Sequence, residues 1–136
     1  MALTETFAGN IQVISGGDRY SFKASGATNE GRLIELNANV TDVVTVQQAS
    51  VNSKGPLGYV DADWEAGDYA VVYTGGVARL EDSGSGFTIN DRLACAADGQ
   101  VKTFPSGSEA AIIGIALETA GASAFGKVFV NICYND

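Results

Sequence analysis

Four carboxylates within eight residues are the densest group of potentially reactive side chains in this 136-residue sequence. They are Asp61, Asp63, Glu65 and Asp68, in the segment DADWEAGD. Oxygen ligands at alternate positions could bind calcium, but an EF-hand loop also needs glycine at its sixth position and glutamate at its twelfth. Counted from Asp61, those positions hold Ala66 and Val72. We therefore predict a charged strand end and turn with no metal site, in which Trp64 lies on the opposite face and packs inward.

The sequence contains no histidine, which is the commonest general base and the commonest transition-metal ligand. It also lacks the G-x-S-x-G and S-x-x-K patterns of serine nucleophiles and the glycine-rich patterns that bind phosphates. We therefore predict no catalytic residue, no cofactor and no enzymatic activity. A small enzyme that works through two convergent carboxylates is the competing hypothesis.

Four aromatic residues could form a platform for a sugar or nucleobase. They are Tyr59, Trp64, Tyr69 and Tyr73. Aromatic side chains also stabilise sheets by packing against cross-strand neighbours, so we predict a core role for most of them. A carbohydrate-binding module would instead expose a patch around Trp64 and Tyr69.

The charge balance limits the partners of the chain. Sixteen acidic and eight basic residues give a net charge of −8, and the basic residues are spread singly along the sequence. Phosphate neutralisation requires clustered cations, so we predict no direct contact with nucleic acid. No leader sequence and no apolar run of about 18 residues is present, which predicts cytoplasmic synthesis and no membrane contact. Cys95 and Cys133 lie in apolar stretches and are predicted to be buried free thiols.

Alternating apolar and polar residues recur about every ten positions, a pattern that predicts an all-β protein. The predicted strands are Ile11–Ile14, Tyr20–Ala24, Arg32–Leu36, Val43–Gln47, Gly58–Asp61, Asp68–Tyr73, Val77–Leu80, Arg92–Ala96, Gln100–Phe104, Ile112–Thr119 and Lys127–Cys133.

Two glycine-containing dipeptides, Gly75-Gly76 and Asp98-Gly99, are predicted to form hairpin turns because apolar alternation flanks each of them. They also align in a weak internal repeat whose copies start at Gly67 and Asn90. Two copies are too few for a solenoid, so we expect a small β-barrel or β-sandwich.

The sequence is predicted to form an extended amino-terminal arm over residues 1–10 and a single β domain over residues 11–136. Leu3 and Phe7 are isolated apolar residues in the arm, which is either a frayed terminus or a segment that orders against a neighbouring subunit. The segment VNSKGP, near residues 51–56, is a possible subdivision of the domain.

From Gly58 to Ile132, the sequence resembles the capsid decoration, or cement, proteins of tailed double-stranded DNA phages. The resemblance rests on the order of short motifs, with the loop Ala120–Gly126 followed by the strand Lys127–Ile132. The motifs are Gly75-Gly76-Val77, Asp98-Gly99-Gln100-Val101 and Gly114-Ile115-Ala116-Leu117-Glu118. Membership would imply a non-enzymatic virion protein that binds the outer surface of an expanded capsid. Such proteins usually act as trimers and stabilise contacts between major capsid subunits.

The resemblance also implies candidate contact residues and a location. The partners would be the major capsid protein and other copies of this chain. Leu3 and Phe7 would anchor the arm on the capsid or a sister subunit, whereas Phe129 and Tyr134 would contribute to a homotrimer. The protein would be made in the host cytoplasm and end on the outer capsid surface. The alternative is a virion-associated carbohydrate- or receptor-binding β module.

Overall fold

The computed structural model describes residues 18–37 and 44–134, and nearly all regular structure in these ranges is β-strand. The strands are β1 (Arg19–Ala24), β2 (Arg32–Leu36), β3 (Thr45–Gln48), β4 (Pro56–Val60), β5 (Tyr69–Tyr73), β6 (Gly75–Glu81), β7 (Arg92–Cys95), β8 (Val101–Thr103), β9 (Ile112–Ala116) and β10 (Phe125–Cys133). A single 3₁₀ turn, Ala97–Gly99, joins β7 to β8 in this part of the chain. The prediction of an all-β fold is confirmed.

The first five strands form a closed barrel in the order β1-β3-β2-β4-β5, with β5 pairing back onto β1. Strands β1 and β3 are parallel, and the other neighbours are antiparallel. Alternation along β5 buries Ala70 and Val72. These side chains meet inward-facing residues of the other strands in the barrel core, which comprises Ala24, Ile34, Val46, Val60, Ala70 and Val72.

The last five strands form a second sheet in the order β6-β10-β9-β7-β8. This sheet curls so that its two outermost strands, β6 and β8, approach each other. Asp82, directly after β6, forms a parallel bridge with Val101 of β8. The N–H of Ser83 donates to the carbonyl of Val101 at 2.9 Å. The second sheet is therefore nearly a barrel as well.

A shared apolar core joins the barrel to the second sheet. Leu33 and Tyr59 of the barrel belong to the same buried cluster as Leu80, Leu93 and Val128 of the second sheet. The Ala97–Gly99 turn adds to the contact, since the N–H of Gly99 donates to the carbonyl of Ala49 at 2.7 Å. Gly99 has a φ of 76°, and a Cβ there would lie 2.5 Å from the carbonyl oxygen of Leu33. Only glycine fits this approach.

One of the two predicted hairpins is wrong. Asp98-Gly99 does lie in the turn between the antiparallel strands β7 and β8, as predicted. Gly75 and Gly76, however, are the first residues of β6 and pair with Asn131 and Val130 of β10. The strand before them, β5, belongs to the barrel, so the dipeptide marks a passage between sheets. The two copies of the weak repeat therefore do not have equivalent structures.

The change from barrel to second sheet falls at Thr74, between β5 and β6. The segment 51–56, a possible subdivision in the sequence, instead connects β3 to β4 within the barrel. The predicted arm, residues 1–10, and the predicted strand Ile11–Ile14 lie outside the described residues.

The contribution of the shared core to stability can be tested with one variant and a control on the same strand. Leu33 is fully buried, whereas Leu36, also on β2, is 49% exposed. We expect Leu33→Ala to lower the free energy of unfolding by about 2–5 kcal/mol, because it removes transfer energy and leaves a cavity. Leu36→Ala should change it by less than about 1 kcal/mol. Urea denaturation measures both, and equal effects would contradict a core that joins the two sheets.

Candidate functional site

Two carboxylates of the segment 61–68 accept hydrogen bonds from backbone N–H groups. The Oδ1 of Asp63 accepts a hydrogen bond from the N–H of Glu30 at 2.8 Å, and the Oδ2 of Asp68 accepts one from the N–H of Glu65 at 2.9 Å. Within residues 18–37 and 44–134, no group of three or more Cys, Asp or Glu side chains is arranged to hold a metal ion. Asp63 and Asp68 therefore stabilise the backbone of the loops around them.

The aromatic residues of the barrel are divided between packing and exposure. Tyr59 and Tyr73 stack with ring centroids 5.5 Å apart, and the Tyr59 hydroxyl donates to the Gly75 carbonyl at 3.1 Å. Burial, reinforced by the charge of Asp61, raises the pKa of Tyr59 to about 12. Trp64 packs against the barrel core, as predicted, while Tyr69 is 55% exposed. This arrangement favours a structural role for Trp64.

The predicted partner residues have different placements. Leu3 and Phe7 lie outside the described residues. Phe129, in the middle of β10, is 43% exposed, and Tyr134, just after that strand, is 58% exposed. The Tyr134 hydroxyl donates to the carbonyl of Pro56 at 2.8 Å. The structure therefore leaves part of each predicted trimer-contact side chain accessible but does not bring the two into one cluster.

Tyr134 lines a surface groove of about 320 Å³ between the barrel and the end of β10. Most of the groove is apolar, and Phe22, Leu57 and Ile132 contribute to it beside the half-exposed ring of Tyr20. The shape follows from the junction of the two sheets, since β1 and β4 supply one wall and the carboxyl-terminal end of β10 supplies the other.

The outer face of the second sheet combines apolar and basic side chains. Cross-strand register places Phe129 directly opposite Ile115 of β9 on one side and opposite Val77 of β6 on the other. Opposed residues of an antiparallel pair project from the same face. The accessible side chains that define this cationic face are Phe129, Ile115, Leu117, Arg79, Lys127 and Arg92.

Sequence reasoning missed the cationic face because its basic residues are far apart in the chain. Arg79 of β6 and Lys127 of β10 are cross-strand partners, and Arg92 of β7 is opposite Ile115. Only the strand pairing brings these positions together. The available sequence signal was the alternation of Lys127, Phe129 and Asn131 with the buried Val128 and Val130, which fixes what β10 presents outward.

A buried carboxylate holds two loops of the second sheet together. Asp82 is fully buried, and its Oδ2 accepts hydrogen bonds from the N–H groups of Gly84, Gly86 and Ser123 at 2.7–3.1 Å. Its own N–H donates to the carbonyl of Ala124 at 2.9 Å. The loop after β6 is thereby fixed to the loop before β10.

Cysteine burial was predicted correctly for Cys95 and wrongly for Cys133. Cys95 is fully buried in the shared core, whereas Cys133 is exposed. Burial alternates regularly along β10 up to its last residue. Ile132 packs against the core, whereas Cys133, like Lys127 and Phe129, projects outward.

One comparison identifies the class of protein. The model of the phage cement protein family matches residues 13–132, which is most of the chain. The protein is therefore a structural protein associated with a phage capsid. It belongs to the phage cement protein family, as the sequence resemblance predicted.

The second comparison concerns the fold. The crystal structure of the N base of head fibre gp8.5 from bacteriophage phi29 is similar to this chain, with a TM-score of 0.66 and 19% sequence identity. The similarity covers 84% of this chain and 93% of the phage chain. At that identity the likeness shows a common fold alone. No curated protein matches the sequence. No helix in the described ranges is long and apolar enough to cross a membrane.

The Asp82 contacts predict a large effect of removing the carboxylate. Asp82→Ala leaves three backbone N–H groups without their charged acceptor and should lower the free energy of unfolding by about 3 kcal/mol. Asp63→Ala is the control, because water can replace its exposed carboxylate, and should cost less than about 1 kcal/mol. Chemical denaturation compares them, and an Asp82→Ala protein as stable as the control would contradict a clamping role.

The two thiols should react at very different rates. Burial, reinforced by the charge of Glu35, raises the pKa of Cys95 to about 12. Because the thiolate is the reactive form, Cys95 should stay unreactive at pH 8 in the folded protein. We expect an aromatic disulfide reagent to modify one thiol per chain rapidly, and two in denaturant. Cys133→Ser should abolish the rapid phase. Rapid modification of both thiols in the folded protein would show that Cys95 is accessible.

Proposed function

We propose that this protein binds the outer surface of a tailed-phage capsid as a homotrimer and stabilises the contacts between major capsid subunits. The observation that carries the proposal is the match to the phage cement protein family over residues 13–132. The fold is suited to the task, since a body built from two joined sheets has little conformational entropy to lose when it binds.

The proposed assembly uses two kinds of contact. Leu3 and Phe7 of the amino-terminal arm supply apolar anchors on the capsid or on a sister subunit. Phe129 and Tyr134, both partly accessible, supply contacts between copies. Once the body of the protein is on the capsid, the arm binds at a high effective concentration, and three arms in one trimer multiply this gain.

The experiment uses capsids assembled without this protein and expanded before use. Wild-type protein should co-sediment with them and raise the temperature at which they rupture. Leu3→Ser with Phe7→Ser should leave the fold and most of the trimer intact but weaken capsid binding by about tenfold or more. Thr4→Ser with Thr6→Ser is the matched control, since it changes the same segment without removing an apolar side chain.

Each result has a separate meaning. Failure of the wild-type protein to co-sediment would overturn capsid binding, and binding without a change in rupture temperature would overturn stabilisation. Equal capsid binding by the arm variant and its control would show that Leu3 and Phe7 do not contribute to the contact with the capsid. Light scattering of the free protein tests the trimer independently, because a monomeric mass would contradict it.

A further inference from the structure

The second sheet contains a cross-strand pair of like charges that destabilises it. Arg79 and Lys127 lie directly opposite each other on β6 and β10, and both are exposed. Like charges at opposed positions of an antiparallel pair are destabilising. A pair that works against the local structure is a mark of a functional surface.

These cations have no acidic partner in the described part of the chain. Its ion pairs join Arg32 to Glu81 and Lys54 to Glu109, and leave the three basic residues of the cationic face unpaired. The nearby Glu118 uses its Oε2 to accept a hydrogen bond from the backbone N–H of Lys127. The positive charge of the face is therefore available to another molecule.

Exposed apolar side chains lie among the cations. Phe129 is 43% exposed, and Ile115 and Leu117 are each 42% exposed, although all three are on or beside regular strands. Phe129 and Ile115 are cross-strand neighbours, and the N–H of Leu117 donates to the carbonyl of Lys127. An aromatic and aliphatic centre bordered by arginine is a typical composition for a protein–protein contact.

We infer that the cationic face binds an acidic surface of a second copy of this chain. The inference deepens the proposed function, because it names the contact on which the proposed trimer rests. Charge complementarity favours this occupant. In the described part of the chain, five basic and ten acidic side chains are accessible away from the face, once Glu81 and Glu118, which border it, are set aside. The remaining surface is strongly acidic overall, and opposite charges at an interface favour association.

The charge also determines the geometry of the contact. Two cationic faces meeting each other would oppose six positive charges, which disfavours a symmetric contact between identical surfaces. The face of one copy instead meets a different, acidic surface of the next. Contacts of this head-to-tail kind close into rings when the rotation between copies permits, and a trimer is the smallest such ring.

Charge reversal on full-length protein tests the inference. Arg79→Glu with Lys127→Glu should convert the trimer to monomer at concentrations where the wild type is trimeric. It also replaces one like-charge pair by another, so the fold should be retained, which circular dichroism and a thermal melt check. Arg19→Glu with Lys23→Glu is the matched control, because it changes the net charge by the same amount on strand β1 of the barrel.

A second pair of variants tests the apolar centre without changing charge. Phe129→Ser should raise the dissociation constant between copies by about tenfold or more. Val51→Ser is its control, since Val51 is 55% exposed in the connector between β3 and β4 and lies outside the cationic face. Light scattering over a range of concentrations gives the constant, and higher salt should weaken the wild-type trimer.

The outcomes separate this inference from the proposed function. A wild-type monomer would overturn the proposed trimer and the inference together. A wild-type trimer whose mass survives both the charge reversal and Phe129→Ser would overturn the inference alone. Variants that remain trimeric but lose co-sedimentation with capsids would assign the face to the capsid and overturn a second copy as its occupant.

Discussion

The burial of apolar side chains between the barrel and the second sheet is the interaction on which the rest of the structure depends. Leu33 and Tyr59 enter this shared core from one side, and Leu80 and Val128 enter it from the other. Since successive residues of a strand face opposite ways, burying Val128 and Val130 commits Phe129 to the solvent side. The composition of the exposed surface is thus a direct consequence of the packing beneath it.

The same constraint explains how an acidic protein acquires a basic surface. Strand β10 pairs with β6 and β9 so that its inward residues fill the core, and this register sets Lys127 beside Arg79. A register shift of one residue would turn the apolar residues outward and the charged ones inward. Packing therefore fixes the position of the like-charged pair, and repulsion alone cannot separate its members.

Local pattern accounted for most of the strands but not for their partners. Alternation located β2 at Arg32–Leu36, and Asp98-Gly99 marked a true hairpin. The prediction of a hairpin turn at Gly75-Gly76 was wrong because β6 pairs with β10, about fifty residues later in the chain. Such a pairing depends on packing across the whole sheet and not on the local sequence. The cationic face was invisible for the same reason. Burial of Cys133 was mispredicted from its apolar neighbours in sequence, although the regular alternation of β10 turns its side chain outward.

The approach of β6 to β8 limits how the sheet edges can pair with other chains. An exposed sheet edge is a template onto which a neighbouring chain can add a strand. Here the bridge between Asp82 and Val101 occupies backbone groups at one end of both edges, and the first five strands have closed on themselves. A neighbouring molecule therefore finds fewer free backbone groups to pair with, and contact with it depends more on side chains, which are selective, than on the backbone, which is the same in every protein.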